Sequence, residues 1–385
     1  MSNQILKLNA IAPCAEAALG NKYKLTEKAE SPIAVILRSF DMHGYDLPAS
    51  VLAVARAGAG TNNIPVDEYA EKGVVVFNTP GANANAVKEL AILALLLSSR
   101  GVVDGIEWTK TLTGDDVAKQ VEKGKKNYAG HEIAGKTLGV VGLGAIGVLV
   151  GNNAVRLGMN VLGYDPYISI DSAWKLNHNI SKIDSTDVIF EQSDYITLHV
   201  PLTDGTRGLI NAKSIAKMKD GVNIINLSRG ELVNNADIIK AVKSGKVHSY
   251  VTDFAAPELL GVPGIIVMPH LGASTEEAED NCAVMAAREL VDFIENGNVT
   301  NSVNFPACSA PKSGACRVTV IHRNVKNVLK AITDAVSAAG INMENFVSKS
   351  RGDYAYAIID TDSNVDDKLL KTIAACDNVL KVRKI

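Results

Sequence analysis

Between the apolar pentapeptide Thr137–Val141 and a run of helix-forming residues reaching Leu157 lies Gly142-Leu143-Gly144-Ala145-Ile146-Gly147. Three glycines at that spacing are weak evidence alone, because glycine is common. Their context narrows the fold: strand, glycine turn, helix, then a second apolar run at 161–164 that delivers Asp165. That order builds a parallel sheet with a crossover helix. Gly142 permits the tight turn, Gly144 lets a ligand approach the backbone, and Gly147 lets helix and strand pack closely. The helix N-terminus, opened by Ala145 and Ile146, offers free N–H groups and a positive dipole end to phosphates. Asp165 can accept hydrogen bonds from both hydroxyls of a ribose and repels a 2′-phosphate. The motif therefore predicts a dinucleotide site with NAD preferred to NADP.

The motif begins well inside the chain, so other structure precedes it. Apolar runs at 33–37, 51–55 and 74–77 are bounded by turn residues and spaced for intervening helices, a β-α-β-α-β pattern. An apolar helix follows at 86–100. A second series of strands is expected at 137–141, 161–164, 195–200, 222–227, 248–252 and 265–268, and another helix at 275–294. Residues 296–314, rich in Asn, Pro, Ser and Gly, read as a linker. The last 70 residues give strand 317–321, helix 325–339, strands 341–348 and 354–359, helix 366–375 and strand 379–383, in β-α-β-β-α-β order. The predicted class is α/β, with two doubly wound parallel-sheet domains (Rossmann/flavodoxin-like) and a C-terminal ferredoxin-like domain. Residues 1–98 and 271–305 are assigned to substrate binding, 99–270 to the dinucleotide and 315–385 to regulation or assembly.

The three polar groups that hydride chemistry on a hydroxy acid needs stand at three strand ends. A base must take the hydroxyl proton, a cation must hold the carboxylate, and a carboxylate must tune and orient the base. The 222–227 strand delivers Ser228-Arg229-Gly230. The 248–252 strand delivers Asp253, with Glu258 shortly after, and the 265–268 strand delivers Pro269-His270. Ligands of open α/β sheets bind outside the carboxyl ends of the strands.

The runs GKTLGVVGLGAIG, LHVPLT, INLSRGELV and MPHLGAST resemble the D-2-hydroxyacid dehydrogenases, over about residues 33–305. The resemblance implies that Arg229 binds the substrate carboxylate and carbonyl, that His270 is the acid/base, and that Glu258 orients His270. Glu258 keeps the family's spacing from Asp253, but here Pro257 precedes the glutamate. The resemblance also implies that His199, Val200, Pro201, Leu227, Ser228, Asp253 and Gly272 line the cofactor. His43, His131, His178 and His248 have no supporting context and read as surface or packing residues.

Arg38-Ser39 and Arg56-Ala57-Gly58 end two strands of the first series. The glycines expose backbone N–H groups in a nest suited to an anion, and two arginines suit a second anion such as a phosphate. These runs are more similar to the 3-phosphoglycerate-oxidising members of the family, which open L-serine biosynthesis, than to lactate or formate members. Lys88 stands where the family has a small residue. The tail resembles an ACT domain, and His322-Arg323-Asn324 and Gly340-Ile341-Asn342 match positions that bind an L-serine effector at a dimer interface. Lys326-Asn327 replaces the usual Pro-Gly.

A net charge of −3 invites neither nucleic acid nor an anionic membrane. The apolar stretch at 90–97 is far short of the roughly 20 residues of a membrane span. Five cysteines with no C-x-x-C argue against disulfides and a zinc ribbon, so a reducing, cytoplasmic location and no metal are expected. A homodimer or homotetramer is the family expectation. The alternatives are a hydroxypyruvate or glyoxylate reductase, or an NAD-sensing interaction module without catalysis.

Overall fold

The computed structural model describes residues 3–385. The chain divides into two compact units: a first made of the residues up to Asn83 with Glu276–Ile385, and a second, Ala84–Thr275. In the first unit β1 (Gln4–Lys7), β2 (Lys24–Thr26), β3 (Ala34–Leu37), β4 (Ala53–Arg56) and β5 (Val75–Phe77) form a parallel sheet in the order β2-β1-β3-β4-β5. That is the flavodoxin-like winding. The sequence reading had only β3, β4 and β5. β1 is four residues long with half-exposed Gln4 and Lys7 at its ends, and β2 is three residues with an exposed Lys24. Neither carries the apolar run by which a buried parallel strand is recognised.

The second unit holds β6 (Thr137–Val141), β7 (Asn160–Tyr164), β8 (Ile180–Lys182), β9 (Tyr195–Leu198), β10 (Val222–Asn226), β11 (Val247–Thr252) and β12 (Ile265–Val267). All are parallel, in the order β12-β11-β10-β9-β6-β7-β8. The winding reverses between β6 and β9, which is where such sheets bind ligands. Both faces are buried, one around Val140, Val150 and Leu95, the other around Ile196, Ile224 and Ile238. The helix Ala84–Ser99 belongs here: its buried Val87, Ala91, Ala94 and Leu95 pack in the core of this sheet. The sequence reading had assigned residues up to 98 to the other domain, because an apolar helix does not disclose which sheet it covers.

The C-terminal part of the first unit is a four-stranded antiparallel sheet of β13 (Cys316–Arg323), β14 (Met343–Arg351), β15 (Tyr354–Thr361) and β16 (Val379–Lys384), in the order β14-β15-β13-β16. Helices Val328–Ala338 and Asp367–Ala374 cover one face, with Val320, Ile332, Ile359 and Ile373 between them. The other face is not free. Ile321, Tyr356 and Ile358 share a core with Phe77, Phe293 and Phe305. Polar contacts reinforce it: Tyr356 donates to the Gly297 carbonyl at 2.7 Å, and Arg383 donates to those of Phe293 and Ile294 at 3.3 and 2.9 Å. The segment read as a linker is built into this core, with Val299, Asn304, Phe305 and Cys308 buried and Asn304 bonded to both Val74 and Val76. Residues 315–385 are thus part of one unit rather than a tethered domain. Among the described residues no helix is long and apolar enough to cross a membrane.

Candidate functional site

In the second unit the glycine loop leaves β6 at the reversal point. Gly142 has φ +94°, and a Cβ there would lie 2.4 Å from the His199 carbonyl oxygen. A Cβ on Gly147 would lie 1.9 Å from the Gly142 carbonyl oxygen, whereas Gly144 faces open space. Gly144 is the N-cap of helix Ala145–Arg156 and no side chain caps it. The first N–H groups of that helix, on Ala145, Ile146 and Gly147, therefore remain available to an anion. At the end of β7, Asp165 accepts the Leu143 N–H through Oδ2 and the Tyr167 N–H through Oδ1, both at 2.8 Å. Those bonds fix the carboxylate beside the loop and leave lone pairs on both oxygens. These features fit a dinucleotide: an uncapped helix end for the pyrophosphate, room at Gly144, and a fixed acceptor for ribose hydroxyls.

β9 delivers His199, Val200 and Pro201. His199 shares a 3.0 Å hydrogen bond with Thr197 through Nε2, while its buried Nδ1 has no partner. Burial pushes its pKa down to about 4, so the ring is neutral at physiological pH. β10 ends in a pinned turn beyond Leu227. Asn226 donates to the Arg229 carbonyl at 2.8 Å and accepts from Ser228 N at 3.2 Å, and Ser228 Oγ donates to Leu198 at 2.6 Å. The Arg229 side chain is exposed and available, holding only the Ser228 carbonyl at 2.6 Å.

β11 delivers Asp253, which is buried. Its Oδ2 accepts from Gly272 N at 3.3 Å, and its Oδ1 has no partner. Burial pushes the carboxyl up, and the charges of His270 and Arg229 pull it partly back. His270, beyond β12, is exposed, with its ring 5.0 Å from that of Phe254. Glu258 does not join them. It is exposed on the turn Pro257–Leu259, where it accepts a 2.8 Å hydrogen bond from Asn235 that holds its carboxyl below the usual range. The expected role of Glu258 therefore has no geometric support. The proline that precedes it opens a 3-10 turn on which it bonds Asn235, and Asp253 is the carboxylate on which the charges of His270 and Arg229 act.

In the first unit, the carboxyl ends of β1, β3 and β4 gather Asn9, Arg38 with Ser39, and Arg56. Asn9 accepts from Arg38 N at 2.9 Å and donates to Ser39 Oγ at 3.2 Å. Arg56 Nε donates to the Arg38 carbonyl at 3.0 Å. A Cβ on Gly58 would lie 2.5 Å from Arg56 Nη1, so only glycine lets the guanidinium lie against that turn. The expected backbone nest is partly spent: Ala57 N donates to Leu37 at 2.7 Å and Gly58 N to Arg56 at 2.8 Å. Sequence reasoning missed two further members. Glu279, near the start of helix Glu276–Asn296, pairs with Arg38 Nη1 at 2.5 Å. Cys282, one turn further along, is buried beneath; burial pushes its thiol up, against the opposing influence of Thr79, Arg38 and Arg56. No local pattern announces a partner from so distant a part of the sequence. Lys88, in the second unit, is mostly buried and pairs with Glu89 at 3.3 Å.

Residues 93–272 match the sequence model described as D-isomer specific 2-hydroxyacid dehydrogenase, NAD binding domain. The chain is 33% identical over 340 residues to D-3-phosphoglycerate dehydrogenase 1 of Saccharomyces cerevisiae, covering 82% of this chain and 68% of that one. Among solved structures it is similar to NAD+-bound 3-phosphoglycerate dehydrogenase of Entamoeba histolytica (TM-score 0.62, 27% identity, 79% of this chain and 99% of that one). It is similar too to a glyoxylate reductase from Paecilomyes thermophila (TM-score 0.65, 27% identity, 78% and 98%).

Proposed function

The chain belongs to the D-isomer specific 2-hydroxyacid dehydrogenases, and we propose that within that family it oxidises D-3-phosphoglycerate to 3-phosphohydroxypyruvate, the first step of L-serine biosynthesis. NAD is the cofactor, and when bound it supplies the hydride acceptor. The chain's own residues do the rest. The N–H groups of Ala145, Ile146 and Gly147 hold the pyrophosphate and Asp165 holds the ribose. Arg229 binds the substrate carboxylate and polarises the C2 oxygen, which carries negative charge as its proton leaves. His270 takes the C2 hydroxyl proton, and Asp253 stabilises the imidazolium that forms.

The observation that carries the substrate reading is the pair of arginines at adjacent strand ends, Arg56 anchored on the Arg38 carbonyl with its guanidinium against the Gly58 turn. They supply two cations for the phosphate. The test is NADH formation from purified protein with NAD and D-3-phosphoglycerate, beside D-glycerate and D-lactate, with NADP as control. Turnover restricted to the phosphorylated acid and NAD is expected. A second reading, a hydroxypyruvate or glyoxylate reductase, is favoured by the Arg38–Glu279 pair, which leaves one of the cations already engaged. Turnover confined to unphosphorylated acids would select it.

We read residues 315–385 as an ACT-type domain that takes an L-serine effector. Asn327, where the family has glycine, has φ +70°, a left-handed conformation that asparagine tolerates. The buried His322 keeps an unpartnered Nε2. If millimolar serine changes neither activity nor thermal midpoint, the effector reading falls. We further infer a homodimer or homotetramer. Helices Val102–Thr109 and Val117–Gly124 have no buried residue and expose Val102, Ile106 and Val117, as surfaces awaiting a partner do. A monomer by light scattering would refute it. Five unpaired cysteines support a reducing cytoplasmic location.

A further inference from the structure

The arginine pair does not stand alone, and its third member changes what it selects. Arg38 is held as a backbone unit from three sides: its N–H by Asn9, its carbonyl by Arg56 Nε and by Asn63 Nδ2 at 3.3 Å. Its side chain therefore has a fixed root, and one branch of its guanidinium is taken by Glu279 at 2.5 Å. Glu279 is not a casual surface partner. It lies in the first turn of the 21-residue helix Glu276–Asn296, whose N-terminal dipole favours a carboxylate. That helix is locked into the core through Ala283, Ala286, Ala287 and Leu290. Both side chains are part-exposed, 35% and 43%, so an incoming anion can reach the pair.

We propose that Glu279 determines the substrate specificity of this site: its carboxylate occupies Arg38 in place of a substrate anion, and only a ligand bringing a phosphate-like dianion displaces it. This rests on the reading of Arg38 and Arg56 as the phosphate-binding residues. With Glu279 paired to it, Arg38 presents less positive charge for a phosphate to meet. A phosphate dianion attracts Arg38 with about twice the charge of the resident carboxylate and outcompetes it. The neutral hydroxymethyl end of an unphosphorylated acid offers Arg38 nothing, and the ion pair stays closed. The residue thus costs affinity for every anion that must displace it from Arg38, and leaves a ligand with a neutral end unaffected.

Glu279→Gln removes the competing charge and keeps the shape. Its KM for D-3-phosphoglycerate and the inhibition constant of inorganic phosphate should both fall about fivefold to tenfold at low salt, a gap that narrows as salt screens the part-exposed charges. The KM for D-glycerate should move less than twofold. Glu279→Asp, which keeps the charge, should stay near the parent protein and so separates charge from packing. Equal shifts for the phosphorylated and unphosphorylated acids, or none, would overturn the proposal. If the parent protein oxidises D-glycerate and not D-3-phosphoglycerate, the substrate reading fails on its own. Phosphate binding, followed as a shift in thermal midpoint in the parent, Glu279→Gln and Arg38→Ala proteins, still decides the role of Glu279. Tighter phosphate binding in the glutamine variant, lost with Arg38, supports it, and unchanged binding refutes it.

Discussion

Exchanging the two candidate carboxylates tests which one serves His270. Asp253→Asn removes a buried charge with almost no change of shape, and Glu258→Gln does the same at an exposed position. Asp253 is bonded to Gly272, two residues beyond His270, and adjoins Phe254, whose ring meets that of His270 at 5.0 Å. Unit charges 4 Å apart interact by about 4 kcal/mol at an effective dielectric near 20, and by about half that at twice the distance. Losing roughly 2 kcal/mol of stabilisation of a transient imidazolium slows the reaction about thirtyfold. Glu258→Gln, whose side chain meets Asn235 and its own backbone at an exposed position, should stay within about threefold. The assay is kcat/KM for the hydroxy acid at saturating NAD, with a thermal midpoint on each variant. The midpoint carries a sign of its own. Burial raises the Asp253 carboxyl, so its stabilising contribution exists at low pH and is lost as pH rises through the raised value. At neutral pH the charge is a cost, and Asp253→Asn should hold or raise the midpoint while impairing catalysis. A Glu258→Gln protein slowed more than tenfold beside a fully active Asp253→Asn protein would refute the reasoning.

Asp165→Ser should bring kcat/KM for NADP up about tenfold and lower that for NAD by a similar factor, since a charge-assisted hydrogen bond is worth about 1.5–3 kcal/mol; unchanged cofactor preference in paired assays would remove Asp165 from the ribose site. Arg317 is fully buried, paired with both oxygens of Asp360 at 2.6 and 2.8 Å, and bonded to the carbonyls of Asn296, Ala310 and Pro311. Arg317→Met should therefore lose about 3–5 kcal/mol in urea unfolding, and Arg317→Met with Asp360→Leu should recover part of it. Glu289 is buried with one partner, Asn301 at 2.6 Å, and burial raises its pKa from 4.5 to about 7. Its contribution to stability is present below pH 4.5 and lost as pH rises through 7, so Glu289→Gln should flatten the stability profile across that window; parallel profiles would exclude it.

What the sequence disclosed and what it hid divide along a physical line. The glycine loop and Asp165 follow β6 and β7 directly, and Arg229 and His270 lie three residues beyond β10 and β12, so the apolar runs located all four. β8, with exposed Ser181 and Lys182, is as hard to see as β1 and β2. Glu258 shows the limit of spacing. Five residues after Asp253 says nothing about which way a 3-10 turn sends a side chain, and a proline decides it. Asn327 was legible only as a residue type, and the structure gives it φ +70°, a left-handed conformation that asparagine tolerates. The nest expected at Ala57 and Gly58 is partly spent, one N–H on Leu37 of the neighbouring strand and the other on Arg56. The Arg38–Glu279 pair was beyond reach, because it joins elements from opposite ends of a discontinuous unit.

That discontinuity gives the helix Glu276–Asn296 a particular position. Its first turn brings Glu279 to the arginine pair. Its last carbonyls are received by cationic side chains of the C-terminal sheet, Phe293 and Ile294 by Arg383 and Asn296 by Arg317. Cations at a helix C-terminus stabilise it through the dipole and by filling orphan acceptors. Between the two ends Phe293 packs on Phe77 at 5.6 Å, so the rod is also fixed to the parallel sheet. A packed helix cannot bend to absorb a shift at one end, because close-packed interiors transmit strain. The C-terminal antiparallel sheet and the Arg38–Glu279 pair therefore share one rigid member.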